Sequence, residues 1–228
     1  MRAMSISSGR SRAMSRRQLI PMLHSLSSRE SRRRLWHMTP GLLAFPLQFI
    51  SHADPLSPTL RGIILAVICL LSAQIYLGFR RIQREQRENG LWAVAGYALS
   101  VLGTIVLFPD RLEVGLALLG ILAFGDGSAT AFGKMLRGPT LPWNHGKTWA
   151  GFLAFIINGS LMAGWIYWGE TQNPEALEAP LSLSQSLLLT SPAVVLCAIV
   201  ESVPSKINDN VRVGIVGAIS LLLLSGMR

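Results

Sequence analysis

The chain has 228 residues, half of them apolar, with a mean hydropathy of +0.41 and only 14% charged side chains. Soluble domains carry about a quarter charged residues, so this composition argues against a soluble enzyme and, despite an isoelectric point near 10.7, against a nucleic-acid-binding module. The net charge of +9 sits at one end: residues 1–36 hold nine Arg against the single acid Glu30, and the other 192 residues hold 12 basic and 11 acidic groups. One nearly neutral membrane domain over 35–228 is expected behind a basic tail over 1–34.

Nine Ser and nine Arg fill more than half of residues 1–34, too little apolar surface to fold alone. Three readings of this tail stay open: a Ser/Arg-rich transit peptide, poor in acids as such peptides are; a basic cytoplasmic arm; or an over-long start ahead of Met4 or Met14. A secretory signal is not expected, because the apolar core Leu19–Leu23 is too short.

Apolar runs follow near 36–50, 59–79, 91–108, 112–133, 149–168, 186–203 and 211–226. A membrane span needs about 20 mostly apolar residues, and most of these runs meet or approach that. The expected fold is all-α, a polytopic bundle of about seven transmembrane helices, with six nearly as good a count. The first run carries Pro40 and Pro46, which fits a re-entrant or tilted segment. Cys69 and Cys197 lie inside apolar runs and are expected to be small buried hydrophobes, with neither a disulfide framework nor a metal cluster implied.

Loop charge sets the orientation. Arg80, Arg81, Arg84, Arg87, Lys134, Arg137, Lys147 and Lys206 fall on the side of the tail; Asp54, Asp110, Glu170, Glu175 and Glu178 fall opposite. The positive-inside rule then predicts a cytoplasmic N-terminus. The membrane is the cell (inner) membrane if the chain is bacterial, or an organelle membrane if the tail is a transit peptide.

Polar residues inside apolar spans are costly and therefore informative. Asp126 lies between Gly125 and Gly127, eight residues before Lys134 and so on the order of 12 Å deeper along a helix. Glu201 lies near the end of the sixth run, and Asn208-Asp209-Asn210 follows Pro204. All three carboxylates are predicted at one membrane face, beside the loop from Lys134 to Lys147. Acids that hold a hard cation next to cations that hold phosphate suit a Mg²⁺-bound nucleotide. The bland alternatives are a helix–helix hydrogen bond for Asp126 and small-residue packing through Gly120, Gly125, Ala129 and Gly133. Gly146-Lys147-Thr148 resembles the end of a P-loop, but Leu141 stands where its first Gly belongs, Pro139 and Pro142 precede it and no strand is expected to lead in, so the match is rejected.

These blocks resemble a known family. Gly125-Asp126-Gly127-Ser128-Ala129, Gly133-Lys134, Leu141-Pro142-Trp143-Asn144 and Lys147-Thr148-Trp149-Ala150-Gly151 are similar to the central block of the membrane lipid-alcohol kinases, a group of phytol, farnesol, dolichol and CTP-dependent diacylglycerol kinases. Glu201-Ser202-Val203-Pro204 with Asp209-Asn210 extends the likeness, as does the weaker Arg33-Arg34-Leu35-Trp36-His37. It covers residues 33 to about 220. Asn208 stands where the family often has an acid, and Thr140 where it commonly has a base.

The resemblance implies phosphoryl transfer from CTP to the hydroxyl of a membrane lipid alcohol, with Mg²⁺ as cofactor and CTP, a lipid and the bilayer as partners, but no nucleic acid. Asp126, Asp209 and Lys147 are the candidate catalytic residues. Lys134, Arg137, Asn144, Lys147 and Asn210 are the candidate nucleotide contacts. Asp126, Asp209 and Glu201 are the candidate metal ligands, and His37 is a possible further participant. The same superfamily includes phosphatidate cytidylyltransferases, the runner-up; a non-catalytic membrane protein that keeps the fold is the third reading. Release of CDP marks a kinase, pyrophosphate a cytidylyltransferase.

Overall fold

The computed structural model describes residues 38–42, 44–82, 90–136, 138–176 and 179–227. The tail, His37, Arg137 and the basic loop 83–89 lie outside the described residues. A short helix α1 (Ala44–Leu47) precedes α2 (Pro58–Ile82), whose first turn is capped by Ser57 Oγ accepting from the Leu60 N–H. Then come α3 (Gly90–Leu107) and α4 (Leu112–Gly120), a π-turn at Ile121–Gly125, and α5 (Asp126–Leu136). A hairpin of β1 (Thr140–Leu141) and β2 (Asn144–Thr148) leads into α6 (Trp149–Thr171), α7 (Leu183–Ser202) and α8 (Asp209–Ser225).

Each apolar run therefore coincides with a helix, because a continuous apolar stretch in a low-dielectric setting satisfies its backbone only by helical bonds. Among the described residues, three helical stretches are long and apolar enough to cross a membrane: Leu112–Leu136, Trp149–Thr171 and Leu183–Ser202. Pro58–Gln74 and Ala95–Leu107 are shorter apolar helices. The all-α expectation needs one amendment, the antiparallel β1–β2 pair with Thr140 opposite Thr148.

The apolar window of Leu112–Leu136 is 78% buried, against 39% and 33% for the other two long stretches, so α4–α5 is the axis around which the rest packs. Its glycines let the neighbours approach. A Cβ on Gly120 would meet Ile166 at 2.9 Å, one on Gly125 would meet the Phe155 ring at 2.9 Å, and one on Gly133 would meet Thr148 Oγ1 at 3.1 Å. From the other side, a Cβ on Gly151 would meet the Ala129 carbonyl at 2.7 Å. The small-residue stripe, running from the end of α4 through the π-turn into α5, thus faces α6. Cys197 is buried as expected, but Cys69 is exposed on α2.

The helix termini gather charge into two separate clusters. In one, His52 Nε2 meets Glu170 Oε1 at 2.9 Å, both side chains buried, and His52 Nδ1 donates to the Ile50 carbonyl at 2.8 Å. The bond to Glu170 outweighs burial and holds the imidazole's pKa up at about 9, with the Ile50 bond and the charges of Glu170 and Asp54 adding to the rise. Asn173 Nδ2 donates to the His52 carbonyl at 2.6 Å, so the loop before α2 is tied to the end of α6. The other cluster lies where the hairpin meets α7 and α8.

Candidate active site

The hairpin places Lys147. Thr148 caps α6 by accepting from the Gly151 N–H at 3.2 Å, Leu141 is fully buried, and the Trp149 N–H donates to the Pro139 carbonyl at 3.0 Å. A strand does run into this helix, but Lys147 and Thr148 belong to the strand itself, not to a glycine-rich loop. That geometry confirms the rejection of a P-loop.

Two side chains clasp the hairpin onto the end of α7. Trp143 Nε1 donates to Ser202 Oγ at 3.0 Å, and Asn144 Nδ2 donates to the Ser202 carbonyl at 2.9 Å. Asn144 Oδ1 in turn accepts from the Gly146 N–H at 3.1 Å. Asn144, a candidate nucleotide contact, uses one amide hydrogen here to hold the hairpin to α7. Trp143, Trp149 and Phe152 pack edge-to-face beside the clasp, with centroids 5.6–6.4 Å apart.

Lys147 reaches across to the same helix end. Its Nζ donates to Glu201 Oε1 at 2.6 Å and to the Glu201 carbonyl, and lies 3.4 Å from Asp209 Oδ2. The Glu201 carboxylate is 10% exposed, whereas the Asp209 side chain is 47% exposed. Asp209 opens α8, and Arg212 one turn later bonds Asp209 Oδ1. Asp209 therefore has a cation on each oxygen.

Asp126 belongs to the same electrostatic neighbourhood: its charge acts on Glu201, and on the buried Tyr97 of α3. The π-turn immediately before it resets the helix register at Gly125, and π-turns of this kind often mark functional positions. Ser128 Oγ donates to the Gly125 and Ala154 carbonyls, both at 2.9 Å, fixing α5 against α6 below the site.

The structure thus brings Lys147, Glu201 and Asp209 together, with Asp126 within electrostatic range of Glu201. Lys134 is exposed near the end of α5. Asn210 is buried rather than open to solvent, its carbonyl accepting from Ser100 Oγ at 3.4 Å. Arg137 and His37 lie outside the described residues. Sequence reasoning missed Arg212, whose signal was its i,i+3 spacing from Asp209, and it gave Trp143 and Ser202 no role.

Among the described residues, no group of three or more His, Cys, Asp or Glu side chains is set to hold a metal ion. Lys147 occupies the place between Glu201 and Asp209, so the expected three-carboxylate ligand set is not pre-assembled. The donor chemistry still fits Mg²⁺, which binds through one or two carboxylates plus substrate phosphates and keeps several waters. Asp126, and Asp209 Oδ2 once Lys147 turns to phosphate, are the oxygens that would serve such an ion. The N-termini of α6 and α8 both open at this place, and helix N-termini favour anions. The arrangement can receive a polyphosphate.

No family model matches the chain, and no solved structure matches it. Among curated proteins it is similar to phytol kinase 1, chloroplastic, of Arabidopsis thaliana, 25% identical over 205 residues that make up 85% of this chain and 66% of the relative. A probable phytol kinase 2, chloroplastic, of Oryza sativa subsp. japonica is 29% identical over 191 residues, 79% of this chain and 62% of the relative. An uncharacterized protein MJ1137 of Methanocaldococcus jannaschii is 30% identical over 140 residues, 59% of this chain and 71% of the relative. The chain spans 66%, 44% and 42% of the length of three plant relatives it matches.

Proposed function

We propose that the chain is a membrane lipid-alcohol kinase, a reading supported by its similarity to plant phytol kinases, and that it transfers the γ-phosphoryl group of CTP to the hydroxyl of a membrane lipid alcohol. The acceptor is of the phytol, polyprenol or diacylglycerol class. The observation that carries the reading is Lys147 held between Glu201 and Asp209 at the mouths of two helix N-termini.

In the reaction the lipid hydroxyl oxygen attacks the γ-phosphorus, the bond from that phosphorus to the β-bridging oxygen breaks, and CDP departs. The hydroxyl proton passes to a carboxylate. Such transfers depend on positioning and charge neutralisation more than on covalent chemistry. Lys147 exchanges its carboxylate partners for phosphate oxygens, which carry more negative charge than either. Asp126 and Asp209 are the residues that would hold Mg²⁺, and the ion would neutralise charge on the phosphates. Asp126, deeper along its helix, serves the lipid side, where the alkyl chain stays in hydrocarbon and only the hydroxyl reaches the site.

The site's end of the bundle faces the cytoplasm or its organellar equivalent, as the Lys and Arg distribution of the loops supports. The printed names of the plant relatives place them in the chloroplast, and an organelle membrane is the proposed location if residues 1–34 act as a transit peptide. The test is product identity: purified protein with CTP, Mg²⁺ and a panel of lipid alcohols should release CDP and a lipid monophosphate. Pyrophosphate with a CDP-lipid would transfer the assignment to a cytidylyltransferase.

A further inference from the structure

Arg212 stands in the first turn of α8, where a cation opposes the helix dipole, and its side chain is only 14% exposed. A charge kept at a disfavoured and largely buried position calls for a compensating task. Its Nη2 donates to Asp209 Oδ1 and, at 3.0 Å, to the Val203 carbonyl. Val203 directly follows α7 and Asp209 opens α8, so one guanidinium nitrogen ties both ends of the connection 203–209. The same bond fixes the carboxylate plane of Asp209 and so the direction of Oδ2, which faces Lys147 Nζ at 3.4 Å. Arg212 Nε is buried without a hydrogen-bond partner.

We infer that Arg212 is a positioning residue for the kinase site: it orients Asp209, and through Asp209 it sets Lys147, without touching substrate itself. This deepens the proposed function and rests on it. Lysine is expected to substitute only in part: one ammonium could make the same two bonds that Nη2 makes, but on a more flexible stem and without the rigid guanidinium plane that sits here only 14% exposed.

The test uses the full chain in lipid nanodiscs. Arg212→Gln is expected to raise the KM for CTP at least ~10-fold with kcat changed less than ~3-fold, and Arg212→Lys to recover part of the loss. If Arg212 acts through Asp209, the two effects are not additive: in an Asp209→Asn background, Arg212→Gln should weaken equilibrium MgCTP binding by less than ~2-fold further. An equal loss in both backgrounds would overturn the inference, since it would mean that Arg212, through its spare Nε, meets the phosphates directly. A second readout does not depend on the reaction: backbone amide exchange over 203–210 should accelerate in Arg212→Gln, by about tenfold, and stay unchanged in an Arg61→Gln control. Unchanged exchange in Arg212→Gln would overturn the inference even if the chain turned over no CTP. A wild-type chain that phosphorylates no lipid alcohol would instead remove the kinase reading and leave the exchange result standing.

Discussion

Replacing Lys147 by Met separates its structural and chemical roles. The Glu201 carboxylate is 10% exposed and the Lys147 ammonium side chain 27% exposed, with 2.6 Å between them. Removing one partner of a fully buried ion pair costs about 3–5 kcal/mol, chiefly by stranding the other charge. The partial exposure of Lys147 reduces this, because exposed pairs are worth about 0–1 kcal/mol; a loss of roughly 1–3 kcal/mol is expected. Lys147→Met should therefore lower the detergent melting temperature and also reduce kcat/KM at least ~10-fold, about 1.4 kcal/mol of transition-state stabilisation. Lys147→Met combined with Glu201→Gln leaves no stranded carboxylate, so stability should return while activity stays low. The assays are thermal unfolding by tryptophan fluorescence and CDP release at saturating lipid. A double variant that regains both would show that Lys147 only neutralises Glu201, and the assignment to phosphate would fail.

Asp126→Asn keeps the side chain's size and removes its charge; turnover should fall to background while membrane insertion is retained, and near-normal CDP release would refute its role. Gly151→Ala should cost about 1–3 kcal/mol, since the new methyl would stand 2.7 Å from the Ala129 carbonyl and backbone cannot yield cheaply. Gly62→Ala, inside α2 with nothing within 4 Å of the added atom, serves as the matched control that should melt no lower than the wild type. His52 titrates at about 9 when folded against an ordinary 6.5, so its stabilisation is complete below pH 6.5 and is lost as pH rises through 9. Linkage sets a ceiling of about 3 kcal/mol on that contribution. Melting temperatures between pH 7 and 10 should fall more steeply for the wild type than for His52→Gln; parallel slopes would dismiss the ion pair with Glu170.

The helices were legible in the sequence because run length and composition determine them: the run expected at 149–168 is Trp149–Thr171, and that at 186–203 is Leu183–Ser202. Lys147, Glu201 and Asp209 were legible as neighbours because each ends or follows a run on the same predicted face. The hairpin was not, since strands of two and five residues broken by Pro142 carry no alternation. The π-turn at Ile121–Gly125 was invisible too: it is a change of hydrogen-bond register, dictated by how Gly120 and Gly125 seat against α6 rather than by local propensity. Glu170 read as an ordinary loop acid; its pairing with His52 joins positions far apart in the chain. The clasp made by Asn144 was not legible, because an amide that can bond a nucleotide can also bond a carbonyl, and the nearness of Ser202 is a tertiary fact.

The residues that the kinase reading requires are spread from Asp126 to Asp209, yet few flexible joints separate them. Gly133 and Gly151 bring α5 and α6 into close approach, which sets the height of Thr148, and Thr148 is the cap of α6 and the last residue of β2. The strand then carries Lys147 at a fixed distance from that cap. Trp143 and Asn144, at the far end of the hairpin, hold Ser202, and so fix the adjacent Glu201 against the lysine. Arg212 closes the remaining gap by binding Val203 and Asp209 together. Each step is a backbone approach or a short hydrogen bond rather than a long exposed side chain. Phosphoryl transfer gains most from groups already held where charge must be neutralised, and here the lysine is held by carboxylates that a polyphosphate, with its greater charge, can displace. The glycine crossing, the aromatic clasp and the arginine tie serve one end: keeping Lys147 in place before substrate arrives.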